Sequence, residues 1–254
     1  MDIVIERAQG VLSIVLNRPD KKNAITAAMY QEMADGLYEA EKDPDVRAVL
    51  LRGNGGAFSA GNDLEDFLND PPKEQDAPVF QFLRRLSGMP KPVVAAVSGV
   101  AVGVGTTMLL HCDMVYAAKN AKFSLPFVQL GLCPEAASSL LLPRIAGYQR
   151  AAEKLLLGEA FSVDEAVSMG FVNGVVDAAE LDAYAFERAR RLAALPAASL
   201  RATKALMKGE QSAEVPARMD EEAAHFSRML VAPEAREAFA AFFEKRKADF
   251  TKFQ

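Results

Sequence analysis

The stretch Lys91-Pro92-Val93-Val94-Ala95-Ala96-Val97-Ser98-Gly99-Val100-Ala101-Val102-Gly103-Val104-Gly105 decides how this chain folds. Its first half is short and apolar, set between Pro92 and Gly99, and reads as a strand from Val93 to Ser98 buried on both faces. Its second half, rich in Gly and small residues, leads into a helix predicted from Val104 to Leu110, with another strand from Met114 to Ala117 beyond it. A buried strand, a Gly-rich loop, a helix and a second buried strand make a β-α order, which points to an α/β fold with parallel strands.

Outward from this stretch the pattern continues. Ile3 to Arg7 and Val11 to Leu16 flank the Gln9-Gly10 turn and read as a hairpin, followed by the polar Arg18–Asn23 loop. Met29, Met33, Leu37 and Ala40 recur at helical spacing and predict a helix from the N-cap Thr26 to about Lys42, and Arg47 to Arg52 is a buried strand. Asp66 to Pro78, with Pro71, Pro72 and Pro78, reads as an exposed loop. Ser162-Val163-Asp164-Glu165 has the form of a capping box opening a helix that ends at Met169, after which Phe171 to Val176 is extended. Strand signals stop after Ala178, and Leu181 to Ala194, Ala197 to Met207, Pro216 to Leu230 and Pro233 to Lys247 are all helical. A boundary between about Leu195 and Ser199 divides a mixed α/β body, 1–195, from a helical region, 196–254.

Composition removes several function classes. With 50% hydrophobic residues among 254, the chain can bury a large core. A net charge of -5 without a dense Lys/Arg run excludes nucleic acid and anionic membrane as main partners. Cys112 and Cys133 are too few for a disulfide framework, and His111 beside Cys112 reads as a packed pair, not half of a metal site. The chain opens directly on the strand pattern Ile3-Val4-Ile5, and Asp113 closes the apolar segment from Val93 to Leu110, so a cytoplasmic protein without membrane insertion is expected.

Two loops carry candidate chemistry. Gly53-Asn54-Gly55-Gly56-Ala57-Phe58-Ser59-Ala60-Gly61-Asn62-Asp63-Leu64 follows one buried strand, and Ser98 to Gly105 follows another and enters a helix N-terminus. Glycines let backbone approach a ligand, and a helix start supplies unpaired N–H groups and the positive dipole end. Either loop alone could be a plain turn; together they could converge on one developing negative oxygen. Nucleotide readings fit poorly, because Met108 stands where G-x-G-x-x-G needs its last Gly and neither loop has G-K-[ST]. Glu135 is the lone acid of the small-residue segment from Ser124 to Pro143. A desolvated carboxylate there would exchange protons near neutral pH, as a general base does; equally, Pro134 and Glu135 could simply open a helix from Ala136 through Leu142.

With Asn17-Arg18-Pro19, Asn23-Ala24, Phe58 to Asp63, Lys91 to Gly99, Cys112-Asp113, Ala121-Lys122-Phe123, Leu155 to Gly158, Ala166 to Val176 and Phe243 to Lys247, nearly the whole chain resembles the crotonase, or enoyl-CoA hydratase/isomerase, superfamily. The resemblance implies a crotonase-like spiral of ββα turns with a C-terminal helical trimerisation region, assembled as a homotrimer or a dimer of trimers. It implies an acyl-CoA thioester as the partner, with CoA carried as part of the substrate and no separate cofactor. The thioester oxygen would lie between the backbone N–H groups of Asn62 and Val104. Ala60 would meet the adenine, Asp63 would hold its loop, and Gly61, Asp63 and Leu64 would join Ala60, Asn62 and Val104 as substrate-binding residues. Lys245 and Lys247 are either CoA-phosphate contacts or solvated charges, while Phe239, Phe242 and Phe243 give the tail an apolar face suited to a subunit interface.

The two glutamates used by hydratases of this family align with Thr107 and Phe127, neither of which is an acid or base near neutral pH. Phe127 to Ser139 instead resembles the branch of peroxisomal-type 3-enoyl-CoA to 2-enoyl-CoA isomerases, in which the glutamate after proline, Glu135 here, is the single base. The expected function is therefore a double-bond shift of the kind fatty acid β-oxidation requires. The alternatives are a hydratase, an aryl- or acyl-CoA hydrolase or dehalogenase of the same superfamily, and a non-catalytic acyl-CoA-binding protein.

Overall fold

The computed structural model describes residues 1–69, 76–209 and 211–253. Among these, the strands and helices follow in chain order as β1 (Ile3–Ala8), β2 (Val11–Leu16), α1 (Ala27–Lys42), β3 (Ala48–Gly53), α2 (Leu64–Asn69), α3 (Pro78–Gly88), β4 (Val93–Val97), β5 (Val100–Val102) and α4 (Val104–Thr107). Then come β6 (Met114–Ala118), β7 (Lys122–Ser124), α5 (Ser138–Ala146), α6 (Tyr148–Leu157), β8 (Phe161–Ser162), α7 (Val163–Met169) and β9 (Gly174–Val176). The chain closes with α8 (Leu181–Ala193), α9 (Ala197–Lys208), α10 (Gln211–Leu230) and α11 (Pro233–Phe243).

Six strands form one sheet in the order β1-β2-β3-β4-β6-β9, antiparallel only at the β1/β2 hairpin, and β5-β7-β8 form a second. The chain alternates between the two: β4 leads to β5, α4 returns to β6, β6 leads to β7, and α7 carries β8 back to β9. Each circuit is one ββα turn of a spiral. Isolated parallel bridges, Ser59 with Ala101 and Ile25 with Asn62, extend the second layer toward the N-terminal turns.

The pleat explains why β2, β3 and β4 read as unbroken apolar runs. Successive side chains point to opposite faces. Leu12, Ile14, Val49, Leu51, Val93 and Ala95 face the main core, while Val11, Ala48, Leu50, Val94 and Ala96 face Leu181, Ala185, Ala189 and Ala193 of α8. Those four helix residues lie on a stripe of i, i+4 steps, and the small side chains of its three alanines let the helix approach the sheet. α1 starts at Thr26, whose hydroxyl accepts from the Met29 N–H at 3.3 Å, and buries Met29, Tyr30, Met33 and Leu37. Truncating a buried residue such as Leu37 typically costs about 2–5 kcal/mol.

The last helices return to this core. Lys204 of α9 is buried, donating to Asp113 at 2.6 Å and to the Lys91 carbonyl at 2.8 Å. Met219 and Leu230 of α10 and Ala235 and Phe239 of α11 join the main apolar cluster.

Several boundaries differ from the sequence reading. The helix expected from Val104 to Leu110 tightens after Thr107 into a 3-10 turn, Met108–His111. The expected loop from Asp66 to Pro78 is helical through Asn69, resumes as helix at Pro78, and between them includes residues 70–75, which lie outside those described. α10 begins at Gln211 rather than Pro216, so Pro216 lies inside the helix, where it forgoes one intrahelical bond. α11 ends at Phe243 rather than Lys247, where Lys245 turns left-handed at φ 55°. Phe171 to Val176 is strand only over β9.

Candidate active site

The loop after β3 is fastened by Asn23, which is fully buried. Its side-chain amide donates to the carbonyls of Asn54 at 2.9 Å and Ala57 at 2.7 Å, and its Oδ1 accepts from the Arg18 N–H at 2.7 Å. Ser59 donates to the Asn23 carbonyl at 2.9 Å and accepts from the Gly61 N–H at 3.1 Å. At Gly61 the backbone has φ 89°, and a Cβ would stand 2.8 Å from the Val102 carbonyl oxygen, so only glycine fits. The bridge to Ile25 uses the Gly61 carbonyl and the Asp63 N–H, leaving the Asn62 N–H between them outside it.

Asp63 holds this turn from the other side. Its carboxylate accepts from Arg18 at 2.6 Å and from the Glu65 and Asp66 N–H groups at 3.1 and 3.2 Å, capping α2. Burial works against its charge, but Arg18 and these N–H groups prevail and hold the carboxyl below its ordinary range.

The second donor opens α4. Gly103 precedes it at φ 54° and ψ -119°, a conformation that L side chains avoid, and gives its own N–H to the Ser124 carbonyl at 2.9 Å. Val104 is then the first helical residue, where the helix itself offers no acceptor for the N–H. Ala60, Gly61, Asn62, Asp63, Leu64 and Val104 all line one cleft of about 660 Å³. A smaller pocket of about 50 Å³ holds Glu135 in its wall and shares Asn62, Phe67 and Phe226 with the cleft. The cleft and the pocket therefore meet at Asn62, with Glu135 beyond it.

Glu135 does not begin a helix. Ala136 and Ala137 both adopt left-handed backbone, at φ 57° and 55°, and α5 starts at Ser138. Alanine in that region costs roughly 1–2 kcal/mol per residue, so neighbours must hold it there. His111, buried, bonds through Nε2 to the Ala136 carbonyl at 2.8 Å; the carbonyl can only accept, so Nε2 carries the proton. Burial pushes the His111 ring down to about 4, which keeps it neutral.

The carboxyl of Glu135 is raised to about 8, first by burial, with the Thr107 hydrogen bond opposing and the charge of Glu222 adding to the rise. Thr107, at a position where the resemblance implies a catalytic glutamate in hydratases, is the donor to Glu135 Oε1. Phe127, at the other such position, packs in the cleft wall.

Two participants went unmarked in the sequence. The Tyr30 hydroxyl donates to Asn62 Oδ1 at 2.5 Å, and burial and the Glu135 charge hold its pKa well above the ordinary value, so it remains a donor. Its only sequence signal is its place on the buried face of α1. Glu222 of α10 is buried and accepts from the Ala137 N–H at 2.6 Å, the Ser139 N–H at 3.0 Å and the Ser139 hydroxyl at 2.5 Å. It sits in the acidic run Asp220-Glu221-Glu222, which reads as a solvated face. At the chain's end, Phe239, Phe242, Phe243, Arg246 and Ala248 line the cleft and Lys245 and Lys247 do not, with Arg246 paired to Glu237 and Glu244.

A family model for enoyl-CoA hydratase/isomerase matches residues 6–253. The 1,2-epoxyphenylacetyl-CoA isomerase of Escherichia coli K12 is 36% identical over 259 residues, covering 99% of both chains. Enoyl-CoA delta isomerase 2 of Rattus norvegicus is 34% identical over 250 residues, covering 96% of this chain and 64% of that longer one. A solved enoyl-CoA hydratase/isomerase from Pseudoalteromonas atlantica T6c superposes with a TM-score of 0.94 at 43% identity, covering 99% of this chain and 100% of the other. Among the described residues no helix is long and apolar enough to cross a membrane.

Proposed function

Because the chain belongs to the enoyl-CoA hydratase/isomerase, or crotonase, family of acyl-CoA enzymes, we propose that it shifts the double bond of a 3-enoyl-CoA to the 2-position with Glu135 as its single base. The observation that carries this reading is the environment of Glu135: a desolvated carboxylate, poised at about 8, in the wall of a pocket that meets the cleft at Asn62. A base of that proton affinity can both take and return a proton near neutral pH.

In this reading Glu135 removes a proton from C2, and the electron pair flows through C1 onto the thioester oxygen. The backbone N–H groups of Asn62 and Val104 hold the resulting dienolate. When the electrons return, the protonated Glu135 delivers the same proton to C4 and the conjugated 2-enoyl thioester is complete. Each oxyanion donor contributes roughly 2.7–4 kcal/mol of barrier lowering, and a positioned base about a hundred- to ten-thousand-fold. The chemistry asks for no cofactor beyond the CoA of the substrate. Water addition is disfavoured because Thr107 and Phe127 provide no second acid or base beside Glu135.

One observation favours a second reading of the acyl group. Phe67, Phe80 and Phe226 line the pocket beside Glu135, with Phe67 and Phe226 edge to face at 6.0 Å, surroundings that suit a ring-bearing acyl group of the kind named for the Escherichia coli relative. Incubation with 3-enoyl-, 2-enoyl- and ring-bearing acyl-CoA esters tests both readings. Conjugation of the 3-enoyl ester supports the isomerase; water addition, CoA release or binding without turnover would replace it with one of the alternatives.

The reading extends to assembly, with the helical region 196–254 serving oligomerisation. Leu206 and Met207 of α9 are 82% and 70% exposed, more than a monomer's surface favours for large apolar side chains. Light scattering at working concentration should give a trimer or a dimer of trimers.

A further inference from the structure

We propose that Glu222 is a positioning residue for Glu135: reaching across from α10, it caps the start of α5 and, opposite His111, holds the left-handed Ala136–Ala137 pair so that the Glu135 carboxylate faces the acyl pocket. The inference rests on the preceding reading only in taking Glu135 as the base.

Three features converge on it. First, α5 supplies no cap of its own: its N-cap residue, Ala137, has no side-chain acceptor, and Glu222 provides one from a distant helix. Second, the bond to the Ala137 N–H falls on a left-handed residue only two positions from Glu135, while His111 grips the Ala136 carbonyl between them. Third, Glu222 does not line the pocket, although its helix neighbours Met219, Ala223 and Phe226 do. Its carboxylate oxygens are occupied by the α5 start, so it acts through Glu135 and not on substrate.

This placement also sets the charge around the base. The groups facing Glu222 are Ser139 and the Ala137 N–H from the start of α5, Arg218 on its own helix, and Cys133 from the preceding loop. Those facing Glu135 are Thr107, Tyr30, Cys133 and Glu222, and the Arg84–Asp220 ion pair lies in the wall of the same pocket. Neutralising Glu222 removes a nearby negative charge and also uncovers the positive end of α5, and both changes favour ionised Glu135.

The test compares wild type with Glu222→Gln and Glu222→Asp, each checked for folding by circular dichroism. Two readouts are taken: kcat and KM for a 3-enoyl-CoA, and the titration of the Glu135 carboxyl by NMR of carboxyl-labelled protein, with Glu135→Gln identifying the signal. In Glu222→Gln, kcat should fall about tenfold or more at nearly constant KM, and Glu135 should titrate at lower pH. In Glu222→Asp the charge stays but the shorter arm releases the loop, so kcat should fall while Glu135 still titrates high. If Glu222→Gln does not fold, Glu222→Asp decides, and wild-type kcat in that variant overturns the proposal. An unmoved Glu135 titration in folded Glu222→Gln overturns it as well. Because the titration uses ligand-free protein, it decides the role of Glu222 even if wild type turns over no 3-enoyl-CoA.

Discussion

The loops bearing Asn62 and Val104 and the loop bearing Glu135 meet at one site yet are built by opposite means. The first two present backbone N–H groups. Their shape comes from glycines that no other residue can replace, from neighbours in sequence such as Ser59 and Asp63, and from the buried Asn23 amide, which fastens the first loop. The third presents a side chain on left-handed alanines, which have no local reason to stand as they do, and its fasteners arrive from the 3-10 turn after α4 and from α10. A backbone donor tolerates changes of side chain, whereas a side-chain base depends on everything that aims it.

The largest break in this comparison is Glu135→Gln. It should lower isomerisation on the order of a hundred- to ten-thousand-fold and leave CoA-ester affinity, measured by calorimetry, near wild type. Next stands a pair at Val104. Val104→Pro deletes the N–H at the first helical position, where proline is tolerated, and should cost about a hundredfold or more in kcat; Val104→Ala keeps the N–H and should retain most activity. Steady-state rates for the two variants separate the backbone role from the side-chain role.

Thr107→Val should be milder, about tenfold. Losing its hydrogen bond raises Glu135 further, so the rising limb of kcat/KM against pH, expected near 8 in wild type, should move to higher pH. That is the opposite direction to Glu222→Gln.

The remaining effect is on stability and not on rate. Because Glu135 holds its proton more tightly folded than unfolded, the stability present below the ordinary carboxylate value of 4.5 is lost as pH rises through about 8. Glu135→Gln has nothing to lose over that range. Its melting temperature should therefore exceed wild type by a margin that opens from 4.5 and is widest above about 8, each tenfold difference in proton affinity being worth about 1.4 kcal/mol.

The same contrast explains what the amino-acid sequence revealed. β1 to β4, β6, α1 and the capping box of α7 are legible because burial imposes an apolar run or a helical period on their residues, or because a cap is a local device. The second sheet is not, since β5, β7 and β8 are two or three residues long. It is held largely by contacts between distant residues, such as Phe123 with Phe161 and Phe171 at 5.7 and 5.4 Å. At the site, Glu135 stood out as a lone acid and the oxyanion loops as clustered glycine. Glu222 and Tyr30 did not, because each is an ordinary helix residue whose role appears only when a chain segment far away is brought against it.

The account turns on one carboxylate moving one proton between two carbons. A 3-enoyl-CoA carrying deuterium at C2, turned over in ordinary water and analysed by mass spectrometry, tests it most directly. The prediction is product with part of the deuterium at C4 from wild type, formed about a hundred- to ten-thousand-fold more slowly by Glu135→Gln. Turnover by folded Glu135→Gln at the wild-type rate would contradict it.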